Sequence, residues 1–175
     1  TRDMLAPALQ GVVERYGLDG VKLDEVVAGA VTSHSKDWNL AREALLSTPL
    51  SPLTPGITMQ QACGTSLQAV LGIGAKIASG QIDCAIAAGT DTTSDAPIVF
   101  SRKFSRRMVK LSQARSGQAK LKVLKGFSPG EIMPQAPANS EPRTYMSMGQ
   151  HCERMAREWA IRREEQDELA ATSHH

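Results

Sequence analysis

Cysteine is scarce, with three in 175 residues, and an odd number that small cannot build a disulfide scaffold. Aromatic side chains are scarcer still at 4%, so there is little to stack on nucleic-acid bases. No apolar run approaches the roughly 18 residues of a membrane span, and the opening residues do not read as a signal peptide. The thiols are therefore expected to be reduced and the setting intracellular, either cytoplasm or an organellar matrix. The composition is 41% hydrophobic and 22% charged, with a net charge of +2. That balance excludes a disordered chain and fits a soluble globular domain with a core. Thr1 runs almost at once into a helical pattern, and the chain closes on Ser173-His174-His175 without a stop signal. Both ends read as cuts in a longer polypeptide.

Acid is missing from one long stretch. Between Asp95 and Glu131 there is no carboxylate, but there are nine bases: Arg102, Lys103, Arg106, Arg107, Lys110, Arg115, Lys120, Lys122 and Lys125. The rest of the chain is net acidic. Such a segment suits a polyanion, whether nucleic acid, a membrane surface or the phosphates of a nucleotide-like substrate; the plainer reading is a solvated basic loop. Nucleic acid is the weakest of these, with only Phe104 and Phe127 in the segment and no recognition motif.

Elsewhere the pattern is regular. Met4, Leu5, Ala8, Leu9, Val12, Val13 and Tyr16 repeat at helical spacing up to Gly17. Leu23 to Val31 reads as a strand buried on both faces, as in a parallel sheet. A helix is predicted from Asn39 to Ser47, stopped by the prolines at 49, 52 and 55. Ile57 to Ala62 reads as a strand leading straight into Cys63. From Gly64 to Gly80 a helix is expected to bury Leu67, Val70, Leu71, Gly74, Ile77 and Ala78 on one face. Gly72 and Gly74 within it suggest close approach of another backbone. Cys84 to Ala88 is a short strand. Alternating helices and strands predict an α/β protein with right-handed crossovers. Beyond Asp95 the order lapses into the basic run and a Pro-, Ser- and Asn-rich loop from Ser128 to Arg143, too long for an ordinary connection. Helical patterns resume at Met148 to Trp159 and Glu164 to Ser173.

The window that carries chemistry is Gln60-Gln61-Ala62-Cys63-Gly64-Thr65-Ser66-Leu67. A cysteine between a strand and a helix lies near the helix's first N–H groups and the positive end of its dipole. Both favour the thiolate, the form a nucleophile needs, and the same N–H groups can stabilise an oxyanion. The plain alternative is a buried cysteine acting as a small hydrophobe. Cys84 and Cys152 are read as such core thiols. Gln61-Ala62-Cys63-Gly64 matches the start of the caspase signature but continues with Thr65, and His34 stands too close upstream. No metal site is expected: His34 and His151 are isolated, His174-His175 are adjacent, and the cysteines are too scattered for zinc. Gly72-Ile73-Gly74 lacks the third glycine of a dinucleotide fingerprint.

Four stretches together resemble the thiolase superfamily, in particular acetyl-CoA acetyltransferases and 3-ketoacyl-CoA thiolases. Ala62-Cys63-Gly64-Thr65-Ser66-Leu67-Gln68-Ala69-Val70 is similar to that family's nucleophile segment, usually Cys-Gly-Ser-Gly-Leu-Gln-Ala-Val. Ala88-Gly89-Thr90-Asp91-Thr92-Thr93-Ser94-Asp95-Ala96-Pro97 is similar to its Ala-Gly-Gly-x-Glu-x-Met-Ser-x-Ala-Pro. Ser147-Met148-Gly149 resembles its x-Met-Gly, and Arg163 to Ala170 its Arg-Glu-Glu-Gln-Asp-Glu-Phe-Ala. The resemblance implies a thiolase-like layered αβα half over residues 1–96, with a mixed, mostly parallel sheet and the first strand missing. Residues 97–175 would hold an inserted basic loop subdomain with helical segments, the C-terminal thiolase domain being absent.

By the same resemblance, Cys63 takes the acyl group from an acyl-CoA, and its own N–H forms half of an oxyanion hole. Met148 lines the pantetheine channel, and the basic loop covers the CoA, which is substrate; no cofactor or metal is implied. A homodimer or homotetramer is implied as well. The departures are Ser66 for Gly, Ser147 where many members carry His, Gly89-Thr90-Asp91 for Gly-Gly-x, and Arg162 at a helix-capping Ser. The His, second Cys and Gly that complete the site come from the family's second half, so the isolated piece is expected to be inactive. A β-ketoacyl-carrier-protein synthase shares fold and nucleophile and is the near alternative; a non-catalytic homologue holding an anionic partner is the distant one.

Overall fold

The computed structural model describes residues 1–95, 97–135 and 138–175. Ala96 of the second resembling stretch, and Ala136 and Pro137 of the predicted long loop, lie outside the described residues. Two units divide the chain, Thr1–Pro97 and Ile98–His175.

The first unit alternates helix and strand as its periodicities require: α1 (Arg2–Tyr16), β1 (Glu25–Gly29), α2 (Leu40–Leu46), β2 (Gly56–Met59), α3 (Thr65–Ala78) and β3 (Ala85–Gly89). Gly17 stops α1 in a left-handed conformation, φ 61°, that lets its N–H cap the last turn. Asn39 starts α2 by accepting the Arg42 N–H. The three strands are parallel in the order β2-β1-β3. β1 is therefore central, and all five of its residues are buried.

Strand alternation sorts the core onto two faces. Val26 and Ala28 of β1 join Leu5, Leu9 and Val13 of α1 and Leu40, Ala41, Ala44 and Leu45 of α2. Val27 points the other way, to Ala69 and Ile73 of α3. The crossover from β1 to β2 uses one face, and the return from β2 to β3 uses the other. Travelling in opposite directions on opposite faces gives both crossovers the same hand. Buried Glu25 at the start of β1 accepts from Lys76 Nζ at 2.8 and 2.6 Å, which ties the sheet to α3.

α3 is the main departure from expectation. Its buried side chains are Thr65, Ala69 and Ile73, whereas Leu67, Val70, Leu71 and Ile77 are exposed. Thr65 and Ala69 are small where the helix starts against the strand ends, and Ile73 packs against Val27 further along. No atom lies within 4 Å of a Cβ built on Gly72 or Gly74, so the close backbone expected there is absent among the described residues. Cys84 and Cys152 are exposed and not core thiols. Cys84 precedes β3, where strand edge replaces the expected interior position.

The second unit is built around the acid-free stretch, and here the expected basic loop is two helices, α4 (Arg102–Gln113) and α5 (Gly117–Leu124). Ser101 and Ser116 cap them by accepting the Phe104 and Ala119 N–H groups. The helical spacing is present in α4, where Phe104, Met108 and Leu111 recur at i, i+4 and i+7, but five basic residues among twelve made the segment read as a loop. A short antiparallel pair, β4 (Val99–Phe100) with β5 (Pro134–Gln135), interrupts the predicted loop. Phe100, Phe104 and Phe127 form a small aromatic cluster with centroid separations of 5.2 and 6.3 Å. Arg107 lies over Phe127, donates to the carbonyls of Val123, Lys125 and Gly126, and pairs with buried Glu131. The helices α6 (Met148–Glu158) and α7 (Arg163–His174) complete the chain. Ser147, where the resembling family often has His, caps α6 with a reciprocal Gln150 contact. Arg162 carries no acceptor for α7, which keeps only the Glu165 half of such a box.

The Lys103 ammonium and the Arg107 guanidinium hold the Glu131 carboxyl below the usual glutamate range. A depressed folded value means the contribution is full above the unfolded value of about 4.3 and is lost as pH falls through the folded one. Amide exchange in α4 is expected to accelerate below about pH 4. Glu131→Gln should show fast exchange already at neutral pH; an unchanged profile in that variant would remove Glu131 as the anchor.

Candidate functional site

At the carboxyl edge of the parallel sheet, the turn Gln60 to Gly64 carries the chain from β2 into α3. This turn replaces the predicted last residues of the strand, so Cys63 is not approached by extended backbone. Ala62 takes φ 43°, a left-handed conformation uncommon for a residue with a Cβ. Thr65 holds the turn. Its hydroxyl accepts the Gln61 N–H at 2.8 Å and donates to the Ala62 carbonyl at 2.7 Å, and the residue is 4% exposed. Gln60 Nε2 donates to Val31 O at 2.8 Å, fixing the turn to the end of the central strand.

Two strand-end glycines make this arrangement possible. A Cβ on Gly29 would stand 2.0 Å from the Met59 carbonyl oxygen and 2.4 Å from Thr65 Cγ2. A Cβ on Gly89 would stand 2.6 Å from Ser66 Cβ. The first turn of α3 therefore rests on bare backbone. What remains is an open cleft of about 250 Å³ lined by Gly29, Val31, Cys63, Ser66, Gly89 and Asp91, among others.

Asp91 closes one side. Its carboxylate accepts from Val31 N at 2.7 Å, Thr32 N at 2.9 Å and Thr32 Oγ1 at 2.6 Å. Partial burial pushes the carboxyl up, but the Thr32 hydroxyl and the two backbone N–H groups outweigh it and leave it below the usual aspartate value. The loops after β1 and β3 are thereby locked together around the cleft. Thr65 and Asp91 are structural parts of the site that sequence reasoning missed. The available signal was a hydroxyl at the first helical position and an acid two residues after a strand-ending glycine.

Cys63 is exposed in the cleft, and Gly64, the N-cap of α3, separates it from the first helical residue. The Gly64 and Thr65 N–H groups are spent within the turn, on the Gln61 and Ala62 carbonyls. Neither is available to an oxyanion in this turn. Among the described residues no side chain hydrogen-bonds Cys63. His34, read as isolated, pairs instead with Asp95, whose carbonyl is 2.7 Å and whose carboxylate is 3.3 Å from Nε2. Met148, in the second unit, is the exposed first residue of α6. Among the described residues no group of His, Cys, Asp and Glu is placed to hold a metal ion, and no helix is long and apolar enough to cross a membrane.

The first unit is a parallel α/β layer with an exposed cysteine between a strand end and a helix start, at the carboxyl edge where open α/β sheets bind their ligands. The family model for the thiolase N-terminal domain matches residues 1–175, and the chain belongs to that family. The 3-ketoacyl-CoA thiolase of Pectobacterium carotovorum subsp. carotovorum is 39% identical over 160 residues, covering 91% of this chain and 37% of that protein. The 3-ketoacyl-CoA thiolase of Vibrio cholerae serotype O1 is 38% identical over 172 residues, covering 98% of this chain and 40% of that protein. A crystal structure of the Bacillus anthracis acetyl-CoA acetyltransferase superposes with a TM-score of 0.72 at 27% identity, over 97% of this chain and 39% of that one. The chain thus spans about two fifths of the length of the relatives it matches. The mixed α/β fold and the thiolase resemblance read from the sequence are both confirmed.

Proposed function

We propose that this chain is the nucleophile-bearing N-terminal part of a thiolase, which transfers acyl groups from acyl-CoA through a thioester on Cys63. The observation that carries the reading is the position of Cys63 in the carboxyl-edge cleft of a chain matched along its length by the thiolase N-terminal family. In the degradative direction the Cys63 thiolate attacks the 3-keto carbon of a 3-ketoacyl-CoA. The new S–C bond forms as the bond between the 2- and 3-carbons breaks, and the departing acetyl-CoA carbanion takes a proton. CoA thiol then attacks the acyl-cysteine, releases the Cys63 thiolate and gives up its proton. Condensation is the reverse, with an acetyl-CoA carbanion as acceptor. The Cys63 N–H serves as one oxyanion donor, Met148 contacts the pantetheine arm, and the protein works as a homodimer or homotetramer in the cytoplasm. The proton-transfer groups come from outside these 175 residues, so the isolated chain is inactive.

Denaturing mass measurement after incubation of the full-length protein with acetyl-CoA tests this. One acetyl group on the Cys63 peptide is expected; turnover with no adduct there, even after rapid acid quench, would overturn the assignment.

Thr65 acts through Cys63, as a positioning residue. Thr65→Val keeps the shape but strips the Gln61 N–H and the Ala62 carbonyl of their shared hydroxyl. In the full-length enzyme kcat is expected to fall about 10- to 100-fold with a smaller change in KM, since a displacement of about 1 Å can cost that much. Alkylation of Cys63 by iodoacetamide should change in parallel, and Thr65→Ser should restore both. Full activity in Thr65→Val would show that the turn holds without it.

A further inference from the structure

The pairing of β1 with β3 does not stop where the strands end. At the last rung the Thr90 N–H donates to the Gly29 carbonyl at 3.0 Å. Beyond it side chains take over. The Asp91 carboxylate holds the Val31 and Thr32 N–H groups, and further out His34 Nε2 stands 2.7 Å from the Asp95 carbonyl. The loop after β1 and the loop after β3 are thus fastened at two points, and His34 is the outer one. A carbonyl can only accept, so Nε2 carries the hydrogen and donates it. The Asp95 carboxylate, 3.3 Å from the same nitrogen, adds a second acceptor. The His34 side chain is 13% exposed and that of Asp95 61%. The ring is packed into its own loop, and Asp95 is the end that would leave if the bond were lost.

Both loops wall the Cys63 cleft, Val31 from the first and Thr90 and Asp91 from the second. The turn that carries Cys63 is fastened to the first loop by Gln60 Nε2 on the Val31 carbonyl. Small residues line the cleft, among them Gly29, Ser66 and Gly89, so its width is set by where the backbones stand and not by a bulky side chain. His34 is not among the lining residues and acts only through these walls. We propose that His34 is a positioning residue that fixes the width of the Cys63 cleft and so limits the bulk of the group the thiol accepts. With Asp95 released, the loop after β3 is held at Asp91 alone, and its outer part is free to tilt away from the cleft. That the accepted group is an acyl chain rests on the acyl-transfer reading; the limit on bulk does not.

The test uses the full-length protein. Cys63 is alkylated with iodoacetamide, which is small, and with N-phenylmaleimide, which is bulky, and both rates are read by peptide mass. His34→Ala is expected to raise the bulky-to-small rate ratio at Cys63 by about tenfold, the low end of what one methylene of room discriminates. His34→Gln keeps an N–H donor and should hold the ratio of the unaltered protein. Cys84, at the opposite end of β3, reports any general loosening in the same digest, and its ratio should not move. In turnover, the kcat/KM preference between 3-ketodecanoyl-CoA and acetoacetyl-CoA should shift toward the longer chain in His34→Ala. The shift should fall on KM more than on kcat, because the Cys63 turn keeps its own bonds through Thr65. If the alkylation ratio shifts while the unaltered protein cleaves neither substrate, the acyl-transfer reading fails and the limit on bulk stands. The proposal is overturned if His34→Ala leaves the Cys63 ratio unchanged, if Cys84 changes with it, or if His34→Gln matches His34→Ala. It is overturned as well if both substrates are cleaved and the preference between them stays where it was.

Discussion

Replacing Cys63 with serine in the full-length protein is expected to abolish acyl transfer, lowering kcat by about 10³-fold or more. A thiol near neutral pH holds a few per cent of a strong nucleophile, whereas a serine hydroxyl holds almost none unless a base activates it. No side chain among the described residues hydrogen-bonds position 63, so a hydroxyl there would find no activation within these residues. The same experiment separates position from mere exposure, because all three cysteines are exposed. Cys84→Ser and Cys152→Ser are expected to keep both turnover and the acetyl adduct, since neither lines the carboxyl-edge cleft. Loss of the adduct on replacing Cys84, with retention on replacing Cys63, would move the nucleophile away from the proposed site.

A single methyl group at Gly29 is expected to cost more stability than any other one-carbon addition to the first unit. It would stand 2.0 Å from a carbonyl oxygen of β2 and 2.4 Å from Thr65. Neither neighbour is the free end of a flexible side chain. The oxygen belongs to Met59, which pairs with Gly29 in the sheet register, and Thr65 is fixed by the turn that holds Cys63. Relief requires moving α3 away from the sheet or breaking the end of a parallel ladder. Overpacking of well-filled interiors costs about 1 to 3 kcal/mol, and a backbone obstacle places Gly29→Ala at or above the top of that range. Chemical denaturation of the full-length protein measures it, and activity should fall with stability because Cys63 rides on the displaced turn. Gly72→Ala is the contrasting case. It sits in mid-helix with nothing within 4 Å, so in this chain it is expected to stabilise by about 0.5 to 1 kcal/mol. A loss at position 72 in the full-length protein would reveal the close backbone that the sequence suggested and that the described residues do not supply.

Much of the first unit could be read from its residues. Gly17 ends α1 because only a glycine readily takes the left-handed cap, and the run at Val26 to Ala28 is apolar on both sides because β1 is covered on both faces. The order of strand, cysteine and helix at 57–66 was legible for the same local reason, but the turn from Gln60 to Gly64 was not. The buried face of α3 was not. Periodicity finds the more apolar stripe, and here that stripe is exposed while Thr65, Ala69 and Ile73 meet the sheet. The α4 and α5 helices were passed over for another reason: α4 carries a short apolar stripe, Phe104, Met108 and Leu111, but the five basic residues around it made the segment read as a solvated loop.

The sequence by itself determined the alternation of elements, the family and the cysteine on which the proposed chemistry rests, because each is written in local spacing or a contiguous motif. Only the tertiary structure decided what surrounds that cysteine. Thr65 pins its turn, Gly29 and Gly89 admit the helix, and Asp91 ties together two loops about 60 residues apart. It alone set His34 of one loop against Asp95 of the other, beyond the ends of their strands. Apart from the Thr65 bonds within its own turn, these contacts join residues distant along the chain, and their cost or benefit depends on distances that no local pattern encodes.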